Sequence, residues 1–346
     1  MLYAYAKAGS GLMPLPRDHE LAEAIWIDLY RPLESQVAAV SALGYQIPTL
    51  EDMEEIEISN RLYTDGGTIY MTGVLPGQLP DGENVAMPVT FILNRHRLVT
   101  VRHHAPRPFE TFPNRADRSS GGATTPERVF LGLVEEIVGR LADLSESVGK
   151  ELDRTAGQVL SKSPAGRSGS LERALVTIGK QAELMGRVRM GLLSMDRILV
   201  YHAGAGGQRS ADSAARAGAE APTRTAATGH EHATRTAEEE GAAALRAAVH
   251  RDIQALEVHA DFLTSRIAMT IDATMGMIGL QQNERVRILS VVTALFLPPT
   301  LIASIYGMNF DRIPALHWHL GFPMALGMMA ASVIAVLALL RWRNWL

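Results

Sequence analysis

Residues 286–340 decide the fold: VRILSVVTALFLPPTLIASI, then YGMNFDRIPALHWH, then LGFPMALGMMAASVIAVLALL. The first and last of these three pieces are apolar, over 286–305 and 320–340, and the middle piece is short and more polar. Each apolar piece has about 20 residues, and a helix of that length crosses a hydrocarbon core of roughly 30 Å. The pattern predicts two C-terminal transmembrane helices.

Positive charges predict the orientation of these spans. Arginines stand at the start of the first span, at Arg285 and Arg287, and just after the second, at Arg341 and Arg343. Between the spans, Arg312 lies beside Asp311. Arginine and lysine near the ends of a span are retained on the cytoplasmic side. We therefore expect both chain termini in the cytoplasm, an external loop over 306–319 and a basic cytoplasmic tail over 341–346.

Polar residues of the first span fall on one helical face. Steps of alternate threes and fours mark a stripe with a 3.5-residue period, and five of its seven positions are Asn, Ser or Thr. The stripe comprises Asn283, Val286, Ser290, Thr293, Leu297, Thr300 and Ser304. Such a stripe indicates either a packing seam between membrane helices or the lining of a pore formed by several copies. The residues of the stripe leave both interpretations open.

The tripeptide Gly307-Met308-Asn309 follows the first span, and a short loop containing Pro314 leads to the second. A Gly-Met-Asn tripeptide is a weak signal alone, but its place between two C-terminal spans is specific. In this position it resembles the motif of the CorA family of divalent-cation channels. The resemblance implies an α+β cytoplasmic domain followed by long helices and a two-helix C-terminal transmembrane anchor, assembled as a homopentamer.

Composition is consistent with a large water-facing part on a small anchor. The chain has 346 residues, of which 47% are hydrophobic and 20% charged, and its mean hydropathy is +0.04. The absence of cysteine excludes a disulfide framework and thiolate metal sites. A net charge of −4 is too small to indicate nucleic acid as a partner.

Residues 1–118 have the pattern of a small cytoplasmic α/β domain. A helix is predicted over 34–43, and strands are predicted over 24–30, 68–75, 85–93 and 97–102. A linker over 114–125 leads to 126–201, where apolar residues at threes and fours predict an antiparallel pair of long helices. The adjacent His103 and His104 would point to opposite faces of a strand, which argues against a metalloenzyme site. No catalytic motif is present, so we do not expect an enzyme.

Residues 202–241 have a different composition, rich in Ala, Gly, Thr, Arg and Glu with almost no large apolar side chain. A segment of this kind cannot bury enough apolar surface to offset its ordering entropy, so it is predicted to be a disordered low-complexity insertion. Helical periodicity resumes afterwards and predicts a stalk helix over 242–285, which continues into the first transmembrane helix over 286–305. The second transmembrane helix is predicted over 320–340.

The CorA resemblance also implies roles for individual residues. Five first spans would line the pore, with Gly307, Met308 and Asn309 as the ion-binding mouth and Asn283, Ser290, Thr293, Thr300 and Ser304 as pore-lining polar residues. Leu289 and Leu297 match hydrophobic constrictions, which can close by dewetting. The permeant ion would be Mg²⁺, entering along the membrane potential of a bacterial inner membrane, with Co²⁺ or Ni²⁺ as further substrates. No covalent cofactor is expected.

Family members close when intracellular Mg²⁺ bridges acidic residues of neighbouring subunits, which would make Mg²⁺ a regulatory ion as well. Hard cations prefer carboxylate oxygens, so acidic residues of the soluble part are the candidates. They are Glu51, Asp52, Glu54 and Glu55 in one acidic run and Asp252, Glu257 and Asp261 on the predicted stalk. The external loop departs from the family pattern, because Asp311 is paired with Arg312 and Ala315 stands at the second acidic position.

Two alternatives to the magnesium channel remain. One is a Zn²⁺ transporter of the related ZntB type, which would share the fold. The other is a membrane-anchored sensor or structural protein with a helical stalk, in which the stripe of the first span would be a packing seam.

Overall fold

The computed structural model describes residues 1–16, 21–55, 57–120, 122–160, 167–219, 228–308 and 319–343. The chain divides into two compact units. The first comprises Met1–Ala156 and Thr177–Met269, and the second comprises Gly157–Val176 and Thr270–Leu346. The predicted residues Asn309 and Asp311 lie outside the described part of the chain.

The first unit contains a seven-stranded sheet with the order β2-β1-β3-β7-β6-β5-β4. Every neighbouring pair is antiparallel except β3 and β7, which are parallel. The strands are β1 (Leu2–Ala8), β2 (Gly11–Pro14), β3 (Trp26–Tyr30), β4 (Leu62–Asp65), β5 (Thr68–Gln78), β6 (Asn84–Leu93) and β7 (Leu98–Arg102).

The helices are short in the first third of the chain and long afterwards. They are α1 (Glu34–Ser41), α2 (Leu50–Glu54), α3 (Ile58–Arg61), α4 (Pro108–Thr111), α5 (Pro126–Leu160), α6 (Arg167–Ala219), α7 (Thr228–Tyr306) and α8 (Gly321–Trp342). This order confirms the predicted α+β domain, long helices and two apolar C-terminal helices.

Alternation along the strands gives the sheet two buried faces. On one face, Ile27 and Val99 belong to a core cluster that also contains Val40 of α1 and Met53 of α2. On the other face an aromatic cluster forms, in which the ring of Trp26 lies 5.8 Å from Phe112 and 6.4 Å from Phe109, and Phe91 lies 5.7 Å from Phe130 of α5. The sheet is therefore the middle layer of three.

A buried ion pair joins the two parallel strands at the centre of the sheet. Arg102 and Asp28 are 3% and 2% exposed, and Nη2 of Arg102 donates to Oδ2 of Asp28 at 2.9 Å. Thr100 donates to the other carboxylate oxygen at 2.7 Å, and the Trp26 indole donates to Thr100 at 3.1 Å. Buried charges of this kind are tolerated because each has a charged partner and further hydrogen bonds.

The long helices of the first unit are joined by ion pairs as well as by apolar packing. Buried residues such as Val188 and Ile253 lie on their inner faces. Arg189 of α6 pairs with Asp261 of α7 at 3.1 Å, and Arg266 of α7 pairs with Asp153 of α5. At 29–68% exposure these two pairs contribute little stability individually, so apolar burial holds the helices together.

The second unit contains the end of α5, the start of α6, the rest of α7 and α8. A small core joins Val159, Leu171 and Ala174 to the partly buried Met277 and Ile278. By length and composition α7 and α8 can each cross a membrane. Their most apolar 18-residue stretches have mean hydropathies of 2.1 and 2.2, and 0% and 11% of the residues in these stretches are buried. Helix α7 continues through Pro298 and Pro299.

The structure differs from prediction over 202–241. Helix α6 continues to Ala219 and α7 begins at Thr228, so most of the segment expected to be disordered is helical. Alanine, arginine and glutamate are strong helix formers, and a low apolar content does not remove that propensity. The ends of the segment are also packed, since His202 and Ala242 are 3% and 5% exposed.

The structure also differs over 114–125, where a linker was expected. Two short 3-10 helices, Phe112–Asn114 and Ala116–Arg118, fall there or just before it, and Ala123 is fully buried. The amide of Ala123 donates to the carbonyl of Ser10 at 2.7 Å, which ties this segment to the β1–β2 turn. Small side chains permit that close packing and at the same time produce a linker-like composition.

Replacement of Gly77 by alanine is expected to destabilise the first unit by about 1–3 kcal/mol, the usual cost of overpacking. A Cβ at Gly77 would lie 2.5 Å from Cδ2 of buried His104 and 2.8 Å from the backbone nitrogen of Pro106, which cannot move aside. Gly139→Ala is the control, because a Cβ there meets nothing within 4 Å and alanine favours the helix. Thermal unfolding of the purified variants measures both; equal stability of the two would refute the close approach.

Acidification is expected to destabilise the fold through His104. Burial lowers the pKa of this imidazole to about 4, and Nε2 lies 2.8 Å from the carbonyl oxygen of Leu75. The unfolded chain takes up the proton near pH 6.5, so up to about 3 kcal/mol of stability is lost as the pH falls from about 6.5 to 4. Unfolding temperatures between pH 7.5 and 5 measure this loss. His104→Gln should flatten the dependence of the unfolding temperature on pH. The variant retains His103, whose pKa is lowered too, so the change reports on His104. An unchanged slope would contradict the assignment.

Candidate functional site

The polar stripe lies along the exposed surface of one continuous helix. All seven stripe positions from Asn283 to Ser304 are on α7, and all are exposed in the single chain. Leu297, on the stripe, and Leu289, beside it, are 64% and 66% exposed. The described part of the chain therefore leaves this face open along its whole length.

Two hydroxyl groups of the stripe are bonded to the backbone of their own helix. Thr293 donates to the carbonyl of Leu289 at 2.8 Å, and Thr300 donates to the carbonyl of Phe296 at 2.7 Å. Each hydroxyl has one hydrogen, so the remaining capacity of both oxygens is to accept. Their outward surface consequently suits a partner that donates hydrogen bonds, such as water around a cation.

The proline pair removes two helical hydrogen bonds at one level of α7. Pro298 and Pro299 have no N–H, so the carbonyls of Ala294 and Leu295 lose their partners four residues along the helix. Helices in membranes tolerate such carbonyls where neighbouring helices or water satisfy them. The two freed carbonyls, of Ala294 and Leu295, lie within one helical turn before Leu297.

The first two residues of the Gly-Met-Asn tripeptide follow directly after the end of α7. Helix α7 ends at Tyr306, and the amides of Gly307 and Met308 donate to the carbonyls of Ala303 and Ile305 at 2.9 and 3.4 Å. A Cβ at Gly307 would lie 3.1 Å from the Ala303 carbonyl oxygen, a tight contact with backbone. Glycine thus lets the chain turn closely over the last helical turn.

Two carboxylates in the acidic run of the α/β domain accept hydrogen bonds from nearby residues. Asp52 accepts from both the amide and the hydroxyl of Thr49, at 2.8 and 2.7 Å, and these bonds lower the pKa of its carboxyl. Glu55 accepts from the side chain of Asn60 at 2.5 Å. All four side chains, those of Glu51, Asp52, Glu54 and Glu55, are exposed to solvent.

The acidic residues of the stalk have three different surroundings. Asp261 pairs with Arg189, and burial together with the nearby Asp196 and Asp261 raises the pKa of Glu257. Asp252 is exposed. Within the described ranges no group of three or more His, Cys, Asp or Glu side chains is placed to hold a metal ion.

Sequence reasoning missed a row of exposed apolar residues on the stalk part of α7. Val258, Phe262 and Met269 are 72%, 56% and 66% exposed in the first unit. Their spacing of fours and sevens was the available signal, since it places them on one helical face. Large apolar side chains exposed along one face are typical of interaction surfaces.

Comparison with known proteins gives one consistent result. A family model described as CorA-like Mg²⁺ transporter protein matches residues 22–341. The chain is 30% identical to the magnesium transport protein CorA of Pasteurella multocida and 27% identical to that of Haemophilus influenzae, over 100% of each chain. Among solved structures, the CorA magnesium transporter from Methanocaldococcus jannaschii has the same fold, with a TM-score of 0.66 at 15% identity, over 100% of this chain and 99% of that one. This chain therefore belongs to the CorA-like Mg²⁺ transporter family.

Proposed function

We propose that the protein is a membrane channel for the potential-driven influx of Mg²⁺, gated by intracellular Mg²⁺. The observation that carries this proposal is the exposed stripe of α7, which leads to Gly307-Met308-Asn309 in a chain of the CorA-like family. Inward movement needs no chemical step, because a divalent ion gains about 4.6 kcal/mol per 100 mV of inside-negative potential, twice the value for a single charge.

Membrane insertion and self-association follow from what the single chain leaves uncovered. The hydropathy window of α7 is 0% buried, so we propose that lipid and further copies cover it. Polar residues of membrane helices collect at helix contacts and along water-filled paths, so the stripe would face an axis shared by several copies, with the second spans outside. We propose a homopentamer in a bacterial inner membrane with both termini in the cytoplasm. The family's fold supports the pentamer, and the arginines at the span ends support the orientation.

At the pore mouth we propose a ring of Asn309 carboxamides with the backbone of Gly307. Mg²⁺ releases its water reluctantly, and neutral oxygens can hold it through its water shell without trapping it. Thr293 and Thr300 would continue the path with oxygens that accept hydrogen bonds from this water. Because Arg312 stands beside Asp311, its positive charge offsets the attraction of that carboxylate for cations at the mouth. Co²⁺ and Ni²⁺ are proposed as further permeant ions.

We propose that Leu289 and Leu297 form the closed state by dewetting. Both side chains are large, apolar and exposed, as a ring of constricting residues requires. Intracellular Mg²⁺ would favour closure by neutralising acidic residues of the soluble part, among them Asp252, Glu257 and Asp261. The raised pKa of Glu257 supports this role, since it reflects burial and an excess of negative charge that a cation would relieve.

Replacement of Asn309 by alanine is expected to reduce Mg²⁺ uptake by at least about tenfold, since each copy loses a group that hydrogen-bonds the hydrated ion. Uptake is measured in proteoliposomes that contain a Mg²⁺-sensitive dye, under an inside-negative potential. Asn344→Ala is the matched control, because it makes the same chemical change in the tail and should leave uptake intact.

The same assay separates the alternatives. Zn²⁺ entry without Mg²⁺ entry through correctly assembled protein would favour a zinc transporter. No flux of either ion would favour an anchored sensor, for which the carboxamide has no role.

Replacement of Leu297 by asparagine is expected to raise Mg²⁺ flux several-fold when internal Mg²⁺ is high, because a polar side chain keeps the constriction wet. Leu297→Met is the control, as it retains an apolar side chain of similar volume and should remain closed. Both are compared in the dye assay with Mg²⁺ loaded on the cytoplasmic side. Equal leakage through the two variants, or none through either, would exclude Leu297 from the gate.

A further inference from the structure

The long helices of the first unit leave a groove of about 370 Å³ open between α5 and α7. Its lining is mostly apolar and includes Val138 and Ala142 of α5 and Ala255 of α7. Two carboxylates, Glu135 and Asp252, line it as well. This α5–α7 groove suits a side chain that has an apolar stem and a positively charged end.

A second uncovered surface is a ridge on α6. Met190, Leu193 and Val200 are 49%, 49% and 58% exposed, and Arg197 between them is exposed too. Steps of threes and fours separate these four residues, so they fall on one helical face. An exposed apolar row of this length is typical of an interaction surface. These four residues are called the α6 ridge.

The charges of the groove and the ridge are complementary. Among the described residues, none forms an ion pair or hydrogen bond with Arg197, and none donates to Asp252. Glu135 differs, because it accepts from both the amide and the hydroxyl of Ser120. The ridge therefore offers one cation without a partner, and the groove offers one anion without a partner.

The groove and the ridge lie at the same height along α7. Arg189 of α6 lies 3.1 Å from Asp261 of α7, and Asp196 of α6 lies 3.0 Å from His250 of α7. These two contacts place the α6 ridge beside the same stretch of α7 that lines the groove, over 249–256.

The two surfaces also lie on opposite sides of α7. Asp252 faces the groove and Asp261 faces α6, and their separation of nine residues is about two and a half helical turns. The ridge therefore cannot enter the groove of its own chain. A rotation about an axis along the stalk preserves height, so it brings the ridge of one copy to the groove of the next. Contacts between two different surfaces of this kind can close a ring.

We propose that the α6 ridge of each copy docks into the α5–α7 groove of the next copy, where Arg197 pairs with Asp252. The occupant of the groove is thus a second copy of this chain. The proposal rests on the assembly around a shared axis proposed above, and it adds the residue pair that joins neighbours head to tail. Asp252 would then act in assembly, and the regulatory role would remain with Glu257 and Asp261.

Reversal of the two charges tests this pairing. Unlabelled and heavy-isotope-labelled protein are mixed in detergent, and native mass spectrometry follows the exchange of subunits. Arg197→Asp and Asp252→Arg should each speed this exchange by about tenfold or more, because like charges would face each other at every contact. The double variant should return towards the wild-type rate, since it restores the pair with reversed polarity.

Lys180→Asp is the matched control, because it makes the same change of charge at an exposed position of α6 outside the ridge and should leave the exchange rate unchanged. Single variants that exchange like this control, or a double variant as fast as the single ones, would overturn the proposal. A wild-type chain that does not assemble would overturn it too. Assembled wild type without Mg²⁺ uptake would count against the channel and leave the interface standing.

Discussion

Within the described part of the chain, no residue of the most apolar stretch of helix α7 is buried. An 18-residue window of this helix has a mean hydropathy of 2.1 and is 0% buried. Burial of apolar surface is the main favourable contribution to folding, so such a surface in water would make the isolated chain unstable or prone to aggregate. The membrane insertion and self-association proposed above would provide the missing cover. The arrangement of the C-terminal part depends on this requirement more than on any single contact.

The α/β domain is stabilised in a different way, by a core that is complete within one chain. Its parallel β3–β7 junction contains Asp28 and Arg102, both nearly inaccessible to solvent. Loss of either partner would leave an uncompensated buried charge, a defect that usually costs several kcal/mol, about 3–5. The hydroxyl of Thr100 donates a hydrogen bond to the Asp28 carboxylate and fixes its orientation. The ring of Tyr30 lies 4.5 Å from the Arg102 guanidinium and restricts its position.

Features that depend on local periodicity were predictable from the sequence. The threes and fours of 126–160 predicted the helix that the structure shows as Pro126–Leu160, and alternating residues placed β5, β6 and β7 within a few positions. Strands β1, β2 and β4 were missed because they are short or only partly buried, so their side chains do not alternate clearly. Over 202–241 helix propensity and low apolar content point in opposite directions, and the described part of the segment follows its helix propensity.

The candidate site was predictable to a similar extent. The stripe from Asn283 to Ser304 needed only a helical period, whereas the hydrogen bond between Glu55 and Asn60 depends on how the chain folds after α2. That depends on tertiary packing. The pairing of Asp261 with Arg189 joins residues more than seventy positions apart, which no local pattern in the sequence reveals.

The proline pair in α7 has a mechanical consequence. A helix resists bending because each turn is tied to the next by hydrogen bonds, and two successive ties are absent where Pro298 and Pro299 follow Ala294 and Leu295. The bending stiffness of α7 is therefore lowest at this level. A tilt of the part of the helix before the prolines need not be transmitted in full to the helix end at Tyr306. The part of α7 that carries Leu289 can move while the chain around Gly307 keeps its geometry.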